Sequence, residues 1–301
     1  MSVLRTCQLV PLESPAVEIF RTTPTDTVCP NFYVLAHANG CAFKPLCSYC
    51  YLKTTFDDIE NPKVFANIEK MEAEVRAWIA ESEHESYVLN TGNLSDSLSL
   101  EIARPFMGRL VEIFRNESEK VGKPHSLLLV TKGGVQECAS LFERPACGKV
   151  IVSFSINSPE AAERLERGAA KPSDRLEAAR RLKDLGWRVR IRIDPMVLGF
   201  DYTETIAAVA ALKPERVTLG TLRAEQSLQR YMKNDPYFSA LEPLSDNKRL
   251  ARYPEHIRLK LCQPAADALK SICPVALCEE TPAFWKALGL DPTGCRCNCG
   301  G

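Results

Sequence analysis

Gly40-Cys41-Ala42-Phe43-Lys44-Pro45-Leu46-Cys47-Ser48-Tyr49-Cys50-Tyr51 sets three cysteines in the spacing C-x5-C-x2-C. Soft thiolates gathered this closely select zinc, copper(I) or iron–sulfur clusters over magnesium or calcium. The number of thiolates narrows the choice. A structural zinc site takes four protein ligands, and a four-thiolate cluster is closed, whereas a [4Fe-4S] cluster on three thiolates keeps one iron open for a cofactor or substrate. The run Phe32–Leu35 just before the loop is short and apolar, so the loop is expected at the C-terminal end of a strand.

Outward from that loop, strand-like and helix-like stretches alternate. Strands are expected at 32–35, 87–89, 127–130, 150–156, 189–193 and 217–219, the fifth alternating with arginines. Helical spacing marks 67–80, 102–114, 135–141, 172–185 and 205–212. Six strand–helix units predict an α/β fold, a (β/α)6 partial TIM barrel; a doubly wound open sheet is the alternative. In both, function sits at the C-terminal ends of the strands. Beyond residue 225 the pattern weakens and prolines punctuate short polar segments. The expected organisation is therefore an N-terminal extension at 1–30, a barrel core at 31–225 and a short C-terminal extension with a cysteine-rich tail at 226–301.

Composition is that of a globular chain, with 45% hydrophobic and 25% charged residues. Lys+Arg and Asp+Glu both number 38, so no global field favours nucleic acid or an anionic membrane. No signal-peptide h-region and no run of about eighteen apolar residues is found, and the expected location is the cytoplasm. Clustered cysteines in such a chain point to metal or catalysis rather than disulfides. Cys7, Cys29, Cys138 and Cys147 stand apart and read as small buried hydrophobes or incidental thiols.

A barrel with a three-thiolate loop after its first strand resembles the radical S-adenosylmethionine superfamily. The segment 48–55 around Tyr49-Cys50-Tyr51 is similar to the cluster loop of spore photoproduct lyases. So, in order along the chain, are Val130-Thr131-Lys132, Val152-Ser153-Phe154-Ser155-Ile156-Asn157, Leu165-Glu166-Arg167-Gly168 leading to a helix with Arg175-Leu176-Glu177-Ala178-Ala179, Arg190-Ile191-Arg192-Ile193-Asp194-Pro195 and Leu219-Gly220-Thr221-Leu222-Arg223. The resemblance implies an enzyme holding a [4Fe-4S] cluster on Cys41, Cys47 and Cys50. It also implies reductive cleavage of S-adenosylmethionine with an electron from a flavodoxin- or ferredoxin-type donor. Ser95, Asp96, Lys132, Ser153 and Ser155 would hold the cofactor's polar ends and Asp194 a ribose hydroxyl. Tyr49 and Tyr51 would pack by the cluster and adenine.

Two departures set the substrate apart. The family's usual spacing is C-x3-C-x2-C, two residues shorter. The position implied to carry the lyases' cysteine hydrogen donor is Asn93 here, and an amide cannot return a hydrogen atom to a carbon radical. The expected substrate is therefore a small molecule or inorganic species rather than a DNA thymine dimer. The tail, Cys295-Arg296-Cys297-Asn298-Cys299, adds three thiols, with Cys278 as a fourth candidate. They read as ligands of a second cluster, as a trap for a thiophilic ion such as arsenic(III), as a redox-active set, or as incidental thiols on a disordered end. One specific expectation follows: transfer of a 3-amino-3-carboxypropyl group from S-adenosylmethionine to an acceptor such as arsenite. Photoproduct repair and a non-enzymatic iron–sulfur or metal carrier are the remaining readings.

Overall fold

Seven parallel strands follow one another across a single sheet in strict chain order: β1 (Phe32–Leu35), β2 (Val88–Asn90), β3 (Ser126–Thr131), β4 (Val150–Ser155), β5 (Arg188–Met196), β6 (Arg216–Thr221) and β7 (Val275–Leu277). The computed structural model from which this is read describes residues 7–21, 26–232, 235–244, 250–293 and 298–300. Every pairing from β1 to β7 is parallel. A doubly wound sheet would reverse its order at a switch point. This order never reverses, so the partial-barrel expectation holds.

The sheet does not stop at residue 225. Helix Glu255–Leu269 packs on β6 and on helix Thr203–Leu212, and it leads into β7, which pairs Leu277 with Leu219. Prolines at 236, 243, 254 and 264 masked this unit in the sequence. Pro254 stands just outside the helix, and Pro264 is tolerated inside it. At the other edge Val17–Phe20 adds an antiparallel strand to β1.

Side chains alternate between two unlike faces. Leu127 and Leu129 of β3, Val150, Val152 and Phe154 of β4, and Ile191 and Ile193 of β5 point into the main core under the helices. The opposite face begins with a small apolar patch of Val88, Leu128 and Ile151. It then turns polar: by alternation it carries Ser153, Ser155, Arg190, Arg192 and Asp194. The outer face supplies stability, at about 1.5–3 kcal/mol for each large aliphatic side chain buried. The inner face forms a lumen lined with hydrogen-bonding groups.

Most helices fall where the apolar spacing puts them, including Ile68–Ala80 and Pro172–Asp184. The helix expected from 102 begins only at Met107. Pro105 disfavours helical backbone at the residue before it, and the carboxylate of Glu101 accepts from the N–H groups of Phe106 and Met107 (3.0 and 3.1 Å), capping a later start. Among the described residues no helix is long and apolar enough to cross a membrane.

Candidate active site

The cysteine loop leaves the C-terminal end of β1 and is tied to the loop after β2 and to the end of the helix Pro159–Leu165 that follows β4. The Gly40 N–H donates to the Leu94 carbonyl (2.9 Å), and the Ser48 N–H donates to the Leu165 carbonyl (2.7 Å). Tyr51 donates its phenol to the Asn93 carbonyl, and Tyr49 donates its phenol to the Glu166 carboxylate. Gly168 makes the second approach possible. A Cβ there would meet the Pro45 carbonyl oxygen at 2.3 Å and backbone atoms of Lys44 at 2.5–2.7 Å, so only glycine lets the loop lie against this turn.

Cys41 is buried, and Cys47 and Cys50 are partly so. Burial pushes the Cys47 thiol up to about 12; the Glu166 charge adds to the rise, and Lys132 opposes it. Burial raises Cys41 and Cys50 as well. Neutral buried thiols of this kind release protons when a metal binds, which couples loading to pH. Among the described residues no three His, Cys, Asp or Glu side chains converge on one point as ligands of a single ion. Ligands that each take a different iron of a cluster have no need to converge. The donor set fits a cluster: three thiols at one barrel mouth, felt by the Lys132, Lys53 and Lys44 ammonium groups around Cys50.

Beneath the loop lies a buried charge network. Glu166 accepts from Tyr49 and from the Asn157 side-chain amide (3.1 Å), and it pairs with Arg175 at 2.7 Å. Arg175, fully buried, also donates to the Ser155 and Ala170 carbonyls. Burial would raise the Glu166 pKa and is the largest single influence, but Arg175, Lys132 and the hydrogen bonds from Tyr49 and Asn157 together outweigh it, and the carboxyl is held at about 2. The Lys132 ammonium stands 5.8 Å from the centre of the Tyr49 ring, within cation–π range.

Asp96, expected at the cofactor, has both carboxylate oxygens engaged by the protein. Its Oδ2 accepts from the Lys132 N–H (2.6 Å), and its Oδ1 accepts from the Thr131 hydroxyl (2.8 Å) and the N–H groups of Leu98 and Ser99. It binds the β2 loop to the end of β3 and so fixes the backbone that carries Lys132. Ser95 donates to the Asp96 carbonyl. Ser155 ends β4 on the lumen side. Ser153 instead donates to Asn298 (2.7 Å), a residue of the tail.

That contact sets aside the reading of residues 298–300 as part of a disordered end. Asn298 is fully buried, and Arg190 donates to the carbonyls of Asn298 (2.8 Å) and Gly300 (2.7 Å). Arg216 reaches the Gly300 carbonyl at 3.3 Å. Cys299 packs against the apolar patch of Val88, Leu128 and Ile151. Residues 298–300 therefore lie inside the barrel. Cys295 and Cys297 lie outside the described residues.

Directly after β7, Cys278 enters the same lumen. Arg192 and Arg223 each place a guanidinium nitrogen 3.4 Å from its sulfur, and its thiol bonds to Asp194. Asp194 pairs with both arginines, and Arg223 pairs with Glu279 at 3.0 Å. Gly220 leaves the room for Asp194, since a Cβ there would stand 2.5 Å from its Oδ1. Burial opposes the Arg192 charge, but Asp194, Cys278 and Cys299 outweigh it and raise its pKa. Arg192 thus feels one thiol from β7 and one from the tail. Burial of the Tyr51 phenol raises its pKa, Cys50, Cys41 and Glu279 add to the rise, and Arg192 opposes it. Arg175, Arg192 and Arg223 were not singled out in the sequence. Their only signal was their place in segments that resemble the family.

A family model described as Spore photoproduct lyase matches residues 15–223. A spore photoproduct lyase of Geobacillus sp. (strain Y412MC61) is 25% identical over 181 residues, covering 60% of this chain and 50% of that protein. One of Bacillus subtilis (strain 168) is 25% identical over 172 residues, covering 57% and 48%. The chain spans about half the length of the curated relatives it matches. Among solved structures, a spore photoproduct lyase complexed with dinucleoside spore photoproduct aligns at a TM-score of 0.73 and 18% identity, over 92% of this chain and 84% of that one. A double mutant with bound AdoMet and the same dinucleoside aligns at 0.73 and 18%, over 90% and 81%. At that identity the likeness is one of fold.

Proposed function

We propose, because the chain belongs to the spore photoproduct lyase family, that it is a radical S-adenosylmethionine enzyme whose substrate is a small thiophilic acceptor held in the barrel lumen. Cys41, Cys47 and Cys50 hold a [4Fe-4S] cluster by three thiolates, which leaves one iron for the cofactor. When bound, that cluster supplies the electron that breaks a carbon–sulfur bond of S-adenosylmethionine.

The chain's own residues supply position and exclusion. Lys132, its backbone fixed by Asp96, takes the cofactor's carboxylate. Tyr49 and Tyr51 brace the loop against Glu166 and Asn93. Asn93 has no thiol to return a hydrogen atom, so the cycle of a lyase would lack its terminator at this position.

The observation that carries the substrate reading is that two thiols, Cys278 at 3.4 Å and Cys299 of the buried tail, act on the Arg192 guanidinium inside the barrel. Two soft ligands in a lumen suit an acceptor such as arsenite. The group transferred is 3-amino-3-carboxypropyl, with 5′-methylthioadenosine as co-product. The radical forms a carbon–arsenic bond, and a second electron from the external donor pairs the odd electron as hydroxide leaves the arsenic.

Anaerobic turnover of the reconstituted enzyme, with and without arsenite, tests this. Methylthioadenosine formed in step with loss of free arsenite supports the reading. 5′-Deoxyadenosine as the sole nucleoside overturns the transfer, and repair of a dinucleoside spore photoproduct would return the chain to the activity its relatives are named for.

A further inference from the structure

We infer that Glu166 is a positioning residue that also sets the reduction potential of the cluster, in balance with Lys132 and Arg175. The inference rests on the cluster reading above but not on the identity of the substrate.

Three observations carry it. Glu166 is 2% exposed, and its carboxylate anchors Tyr49, the residue between two of the cluster cysteines. Tyr49 ties it to the loop between Cys47 and Cys50, the Lys132 ammonium stands 5.8 Å from the centre of the same ring, and Arg175 pairs with Glu166 at 2.7 Å. It belongs to no other machinery: its remaining partners are Asn157 and Arg175, both buried. An ionised carboxylate buried against the cysteine loop lies in a medium that screens charge poorly. Electrons added to the cluster increase its negative charge. A fixed anion near Cys47 therefore disfavours reduction and a fixed cation favours it. Two cations against one anion make this side of the site net positive, the sense needed to reduce a low-potential cluster. Glu166 trims that field while fixing Tyr49.

The charges give opposite signs to two substitutions. Glu166→Gln keeps the shape and an acceptor for Tyr49 while removing the anion, so the midpoint potential rises. Lys132→Gln removes a cation from a partly exposed side chain, so the potential falls. A tenfold change in the one-electron equilibrium, about 59 mV, is the scale to look for. Tyr49→Phe separates charge from positioning: it deletes the hydrogen bond, leaves the charges, and broadens or shifts the cluster's electron paramagnetic signal with little change in potential.

The experiment is a redox titration of the reconstituted protein without S-adenosylmethionine, followed by electron paramagnetic resonance, with iron counted in each sample. A rise for Glu166→Gln and a fall for Lys132→Gln are expected at equal iron content. If Glu166→Gln fails to fold, the Lys132→Gln arm still decides, because an unchanged potential there overturns the charge balance. Equal potentials in all variants at full iron content refute this inference alone. Absence of iron and of a signal in the wild type refutes the cluster reading instead.

Discussion

Two groups of thiols share one barrel, and they were brought there by different means. Cys41, Cys47 and Cys50 lie on a continuous loop at the strand ends, near the ammonium groups of Lys44, Lys53 and Lys132. Cys278 and Cys299 lie 21 positions apart in the chain, and both act on Arg192 inside the lumen. The first group is set by local spacing, the second by tertiary structure. Mouth thiols among cations suit a cluster that must be reduced; deeper thiols against arginine and aspartate suit capture of a neutral, soft species.

The largest effect should come from separating the groups. Cys47→Ala is expected to abolish cluster assembly and all cofactor cleavage. A chain ending before Cys295 should keep about four irons and still cleave S-adenosylmethionine, while losing transfer to the acceptor. Iron counting with nucleoside analysis reads both. Loss of iron on truncation would mean that the tail holds metal of its own and would merge the two groups.

The next test is of the tail's seat. Arg190→Ala removes the donor shared by the Asn298 and Gly300 carbonyls. Arg216 still reaches the Gly300 carbonyl, but leaving the buried Asn298 carbonyl without Arg190 costs about 1–3 kcal/mol. The tail should leave the lumen, and Cys299 should become readily alkylated, mapped by peptide mass spectrometry. Unchanged protection would show that packing on Val88, Leu128 and Ile151 suffices to hold it.

This contrast also explains what could be read from the sequence. The barrel was legible because strands of a parallel sheet buried under helices are short apolar runs, and each run recurs after a helical stretch. The cluster loop was legible because its ligands are neighbours in the chain. The tail's destination was not. Nothing in the last residues signals burial; the signal lies in Arg190 and Arg216, which face the lumen from β5 and β6 and need carbonyl partners. Alternating arginines on a strand read equally well as a solvated face. Glu166 was hidden in the same way, since its partner Arg175 lies beyond Gly168 on another element.

Within the lumen, Cys278→Ser should weaken the acceptor and spare the cluster. Losing one of two soft ligands is expected to raise the acceptor KM by about tenfold or more, or ~1.4 kcal/mol, at unchanged iron and unchanged uncoupled cleavage of S-adenosylmethionine. A change confined to kcat would instead make Cys278 a participant in the chemistry.

The smallest effect concerns acid, and it distinguishes the two ends of the barrel. His125, just before β3, stacks edge-on against Trp78 (4.6 Å between centroids). Burial lowers its pKa to about 4, assisted by His84, Lys123 and Lys149. A histidine whose folded pKa lies below its unfolded value of about 6.5 contributes stability that is complete above 6.5. That stability drains away as pH falls toward 4, because the unfolded chain then binds the extra proton. Glu166, held at about 2 chiefly by Arg175 against burial, contributes stability present above about 4.3, the ordinary glutamate value, and lost only as pH falls through 2. On acidification His125 should therefore begin to lose its contribution well before Glu166 does. His125→Phe tests the order: neither ring nitrogen has a hydrogen-bond partner among the described residues, so the substitution deletes no bond and keeps an aromatic edge for Trp78. Thermal unfolding from pH 7.5 to 5 should show the variant close to wild type at the upper end and less acid-sensitive below 6.5. An equal loss in both proteins would move the acid-sensitive step elsewhere. His37 is then the first place to look, because burial holds it at about 3 beside the β1 end, on the cluster side of the comparison.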